Sequence, residues 1–101
     1  MTQPKGYIFV EIEITDMEGY KTHYMTRSTP AVAKYGGRFI VRGGDITVHN
    51  GDLTNRRMVI AEFDSYERAL EFYQSPDYTE AMVHRNQYST VHRYYIMRGA
   101  V

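Results

Sequence analysis

The chain reads as an α+β protein of the ferredoxin-like type, β-α-β-β-α-β, with one antiparallel four-stranded sheet and its helices on one face. Three observations carry that reading. Residues 6–14 alternate aliphatic and other side chains with the period that belongs to strands, and 57–63 form a short apolar run of strand length. The segments that follow them place apolar residues at helical spacing. Between them, Tyr35-Gly36-Gly37-Arg38-Phe39-Ile40-Val41-Arg42-Gly43-Gly44 stops a helix, then opens and closes a short strand.

Residues 1–5 form a polar start containing Pro4 and are expected to be mobile. In the first strand, Gly6 to Ile14, the side chains of Ile8, Val10, Ile12 and Ile14 point one way and those of Tyr7, Phe9, Glu11 and Glu13 the other. Thr15 and Asp16 supply a cap for a helix from Met17 to Tyr35, in which Pro30 predicts a kink or break near Thr29. Gly36 and Gly37 end it. The second strand, Arg38 to Arg42, is expected to turn Phe39 and Val41 to the helices and Arg38, Ile40 and Arg42 to the other side. A further extended piece is expected over Asp45 to His49, before the loop signal Asn50-Gly51-Asp52. The third strand, Arg57 to Phe63, sends Val59, Ala61 and Phe63 inward and Met58, Ile60 and Glu62 outward. Asp64 or Ser65 caps a second helix with a stripe of Tyr66, Ala69, Leu70 and Tyr73. Ser75-Pro76 stops it and restarts a short helix over Asp77 to Arg85. The last strand covers Ser89 to Met97, its inward face left open by Val91, His92, Tyr94, Tyr95 and Ile96.

A chain of 101 residues with 43% apolar content suits one domain, expected here over 1–101, and self-association would add usefully to its core. Twelve basic and twelve acidic residues cancel, which removes the long-range pull toward nucleic acid or membrane surfaces. RNA-recognition domains share this topology, but they stack bases on aromatics of the third strand, which here reads Arg57-Met58-Val59-Ile60-Ala61-Glu62-Phe63. No nucleic-acid partner is expected. The absence of cysteine excludes disulfides and thiolate zinc sites. With no leader-like or membrane-spanning apolar run in the sequence, a cytoplasmic location and no membrane partner are expected.

The helix-free face of this topology gathers Tyr7, Phe9, Glu11, Glu13, Arg38, Ile40, Arg42, Met58, Ile60 and Glu62. Its apolar members are too many to leave in water, and its charges are costly to bury alone. Two copies packed sheet to sheet answer both demands, with Glu11 or Glu62 pairing with Arg38 or Arg42 around a polar-lined cavity. The expected partner is therefore a second copy of the chain.

The glycine-flanked decapeptide, followed by Glu62-Phe63, Ser65 and Phe72-Tyr73-Gln74-Ser75-Pro76-Asp77-Tyr78, resembles the pattern of domain-of-unknown-function family 1330. The likeness runs from Lys5-Gly6-Tyr7 to Arg98-Gly99, with Leu53 standing where the family commonly has tryptophan. It implies membership of the dimeric α+β barrel superfamily, whose relatives include cofactor-free monooxygenases, haem-degrading enzymes and chlorite-dismutase-like proteins. That resemblance implies a fold and a dimer but no particular reaction.

Three functional classes stay open, and a ligand-binding or enzymatic cavity is favoured over plain packing, because so many charges on a buried face are hard to explain by stability alone. In the first, the dimer binds a small carboxylate or aromatic ligand between its sheets, with Arg38 and Arg42 as a clamp and Phe9, Tyr35, Tyr73 and Tyr78 as further ligand-binding groups. In the second, a cofactor-free enzyme uses Glu62 or His92 as base in the same cavity, with Arg42 steadying an oxyanion. In the third, the face is a filled pairing surface, the arginines close ion pairs with Glu11 and Glu62, and the tyrosines are packing groups. No metal is expected, because His23, His49, His84 and His92 show no ligand spacing. No cofactor is expected either.

Overall fold

The computed structural model describes residues 3–53 and 55–101. Met1 and Thr2, part of the start expected to be mobile, lie outside the described residues. Strand β1 (Gly6–Ile14), whose four isoleucine and valine side chains need the driest place, is flanked on both sides. It pairs antiparallel with β3 (Arg57–Phe63) and β4 (Ser89–Arg98), while β2 (Arg38–Arg42) lies at the edge beside β3. The order β2-β3-β1-β4 with helices on one side is the ferredoxin-like arrangement.

Local chemistry sets the helix ends. The Asp16 carboxylate accepts from the Gly19 amide at 3.0 Å and starts α1 (Met17–Gly19). The chain continues as a π-helical segment, Tyr20–Met25, and then as α2 (Thr26–Lys34). The break expected near Thr29 is not there: α2 runs unbroken through Pro30, and regularity is lost one turn upstream instead. In that widened turn Thr26 Oγ1 donates to the Thr22 carbonyl at 2.6 Å and Arg27 Nη1 to the His23 carbonyl at 2.7 Å. Side chains thus bond carbonyls of the irregular stretch. At its end the Gly37 amide bonds the Val32 carbonyl at 2.9 Å and the Gly36 amide the Ala33 carbonyl at 3.0 Å, with Gly36 at φ 77°. A Cβ on Gly37 would stand 2.5 Å from the Phe63 ring, so glycine is required there for contact, whereas Gly36 makes the turn. Ser65 caps α3 (Tyr66–Tyr73), and Ser75 with Pro76 caps α4 (Pro76–Tyr88), which reaches three residues past the Arg85 end expected from sequence.

Two bulges decide which side chains face where. In β2 the register slips between Phe39 and Val41, so Val41 lies opposite Ile60 and Arg42 opposite Val59. This corrects the expected alternation: Val41 joins the open face, and Arg42 turns under the helices. In β4 a slip beside Glu11/Ile12 adds His92 as an extra residue, and Val91, Tyr94 and Ile96 face inward. Asp45 to His49, expected to be extended, forms no strand and adds nothing to the β2 edge. The core lies between sheet and helices, where Ile8, Ile12, Ala61, Phe63, Phe72, Tyr78 and Ala81 are almost wholly buried.

Candidate functional site

The register sorts the open face into rows that cross the sheet. One row runs Arg38, Glu62, Tyr7, Met97, the next Val41, Ile60, Phe9, Tyr95, and the third Met58, Glu11, Arg93. The middle row is apolar from edge to edge. Phe9 and Tyr95 stack with ring centroids 6.0 Å apart, and Val41, Tyr95 and Met97 stay exposed.

The flanking rows hold carboxylates that are already paired within the chain. Glu62 accepts from the Tyr7 hydroxyl at 2.8 Å and forms an ion pair with Arg38. The phenol's hydrogen bond, and then the guanidinium, hold its carboxyl below the usual carboxylate range. A base that carries a proton near neutrality needs the opposite shift. Glu11, only 4% exposed, is gripped by Arg56 and by Arg93 Nη1 at 2.7 Å, and the Arg56 hydrogen bond leads the effects that lower its pKa. His92 Nε2 lies 3.0 Å from Glu13 Oε1 toward the end of the sheet, apart from Glu62. Sequence reading placed the ion pairs between copies; the structure closes them inside one chain, with Arg56 and Arg93 as partners not foreseen.

The candidate ligand groups are therefore divided between two faces. Phe9, Arg38 and Glu62 share the open face. Arg42, Tyr35, Tyr73 and Tyr78 belong to the helix side. Tyr78 is 2% exposed, shares a 2.8 Å hydrogen bond with the Tyr24 hydroxyl and accepts from Arg85 Nη1 at 3.1 Å. Tyr73 packs on Tyr94 and Tyr78, and Tyr35 packs on Phe72 beneath the guanidinium of Arg68. His23 lies between the rings of His84 and Tyr88. Among the described residues no group of three His, Asp or Glu side chains is placed to hold a metal ion.

The helix side also holds a residue that sequence reading passed over. Arg57 pairs with Ile12 and keeps step with Val59, Ala61 and Phe63, so the same alternation that sends those three inward sends Arg57 inward too. It lines a cavity of about 30 Å³ together with Arg42, Tyr20, Tyr24, Met25 and Ser28.

The chain belongs to the family described as domain of unknown function (DUF1330), which matches residues 5–100. Among solved structures it is similar to a protein of unknown function from Rhodopseudomonas palustris, with a TM-score of 0.69 and 23% identity over 97% of this chain and 82% of that one. The methylated form of that protein gives a TM-score of 0.70 and 21% identity over 100% of this chain and 84% of the other. These likenesses support the ferredoxin-like fold. No functionally curated protein matches the chain. No helix among the described residues is long and apolar enough to cross a membrane.

Proposed function

We propose that the protein works as a homodimer in which two open sheet faces pack on each other, forming the two-copy α+β barrel expected from sequence. The observation that carries this reading is the apolar row Val41-Ile60-Phe9-Tyr95, bordered by carboxylates whose charges are met inside the chain. A face prepared in that way can be covered without leaving an unpaired ion. The described residues span 17 Å in their thinnest direction, the depth of one sheet and one helical layer, so none of them forms a layer over the second face. A second copy suits the face because it brings the same apolar row and the same internally paired borders, as a two-fold interface requires. A stable interface takes roughly 800 Å² from each partner, about an eighth of this chain's 6322 Å² surface.

The same pairing disfavours the other two uses of this face. A carboxylate ligand between the sheets would have to compete with Glu62 for Arg38 and with Glu11 for Arg93. An enzyme with Glu62 or His92 as base would need one of them free, whereas Glu62 is held ionised and His92 is turned to Glu13. The third reading, a filled pairing surface, is the one the geometry supports. Sedimentation equilibrium at micromolar concentration tests it: wild type is expected at twice the 11.8 kDa chain mass and Ile60→Lys at the single mass with unchanged circular dichroism. A wild-type monomer overturns the proposal.

A further inference from the structure

On the opposite side of the sheet, Arg42 and Arg57 stand as neighbours on the edge pair of strands, Arg42 beside Val59 and Arg57 two residues before it. Both side chains line the small cavity under the π-helical segment, where Tyr20, Tyr24 and Met25 form the roof. Arg42 lies flat over the Phe39 ring at 3.9 Å and donates from Nη2 to Thr29 Oγ1 at 2.6 Å. Arg57 packs over Gly43, where a Cβ would meet its Nη1 at 3.0 Å, and reaches the Arg42 carbonyl at 3.5 Å.

Neither guanidinium has a carboxylate within ion-pair distance among the described residues, although Arg38, Arg56, Arg93 and Arg98 all do. Among the described residues Arg57 Nε is buried with no hydrogen-bond partner. Burial, and then the charge of Arg57, lowers the pKa of Arg42. Two partly buried cations side by side, one with an idle donor, call for an anion. The cavity is too small for more than a headgroup, but Arg57 also lines an open depression of about 620 Å³ walled by Ile14, Met17, Leu53 and Glu13. Of its charged lining, the Glu13 carboxylate faces His92 and Arg56 is paired with Glu11, so Ile14, Met17 and Leu53 remain as apolar wall for a ligand body. A turn wound as a π-helix recurs where helices carry function, and here it holds both phenols over the arginines.

We propose that Arg42 and Arg57 form the binding site for the carboxylate of a small organic acid, whose apolar body lies along Ile14, Met17 and Leu53. This site differs from the clamp expected from sequence, since Arg57 takes the place given to Arg38, and it is independent of the pairing of sheets. The fork of each guanidinium offers paired donors to the two carboxylate oxygens, and Arg57 Nε supplies one that no other group among the described residues uses.

The test is titration of the full chain with benzoate, and separately with inorganic phosphate, at constant ionic strength, following the Arg side-chain Nε–H resonances by NMR. The expected result is a saturable benzoate shift of the Arg57 Nε–H signal in wild type and in Arg38→Gln. Affinity is expected to fall about tenfold or more in Arg42→Gln and Arg57→Gln, the loss of one charge-assisted hydrogen bond. Arg57→Lys, which keeps the charge but not the fork, guards against misfolding of the glutamine variant and is expected to weaken benzoate binding as well. No shift in wild type, an equal shift in all variants, or saturation by phosphate but not by benzoate overturns the proposal. Because Arg38→Gln changes only the open face, a monomeric wild type that still binds benzoate would overturn the dimer and leave this site standing.

Discussion

Replacing Tyr78 by phenylalanine removes a single oxygen from the core and tests whether that residue is there for the fold or for a ligand. Its hydroxyl shares a 2.8 Å hydrogen bond with Tyr24 and accepts from Arg85 Nη1 at 3.1 Å, while Arg85 is itself 7% exposed. Arg85 Nε and Nη2 donate to Asn86 Oδ1, each at 3.2 Å, and among the described residues Nη1 bonds only the Tyr78 hydroxyl. A neutral hydrogen bond contributes about 1 kcal/mol net and one to a charged group about 1.5–3 kcal/mol. Since the two share one oxygen and neighbours relax, Tyr78→Phe is expected to cost about 2 kcal/mol. For a domain of this size that is a fall in Tm of about 8–16 °C. Tyr24→Phe, which removes the phenol pair and leaves the Arg85 bond, should cost about 1 kcal/mol. Urea unfolding of both single variants and the double variant, with unchanged slopes, measures the coupling. A Tyr78→Phe cost below about 0.5 kcal/mol, the level of a neutral surface change, refutes the account of the hydroxyl chain.

Gly37→Ala should destabilise by about 1–3 kcal/mol, because its methyl group enters the Phe63 ring and the ring has no room to retreat in a filled core; thermal melts read this directly. Ser75→Ala should cost about 1 kcal/mol through loss of the α4 cap, measurable by urea midpoint. Glu11 and Glu62 have pKa values lowered in the fold, so their contribution is present above the ordinary value of 4.5 and lost as pH falls below it. Glu62→Gln should flatten that acid loss, and an unchanged profile would count against the Tyr7–Glu62–Arg38 contact. Burial raises the phenols of Tyr20, Tyr24 and Tyr94, so the unfolded chain releases protons first and stability should fall as pH rises past 10.0. Tyr24→Phe should lessen that alkaline loss in urea midpoints taken across the range.

Sequence alone determined the order of strands and helices, a cap for α3 at Asp64 or Ser65, the stop and restart at Ser75-Pro76, the glycine stop after α2, and the inward faces of β1 and β3, since each depends on neighbours a few residues apart. The alternation of β3 also carries Arg57 under the helices, in step with Val59 and Ala61, but an arginine there was not expected to face inward. The tertiary structure alone decided the rest. A bulge is a mismatch between two strands, invisible in either one, and the slip at Ile40 exchanged Val41 for Arg42 on the open face. Partner choice among charges is likewise settled across the sheet, where Arg56 and Arg93 converge on Glu11 from positions 45 and 82 residues away. So the sequence contained the two arginines of the proposed anion site, but only the folding of β2 against β3 brought them to one cavity and left both without a carboxylate among the described residues.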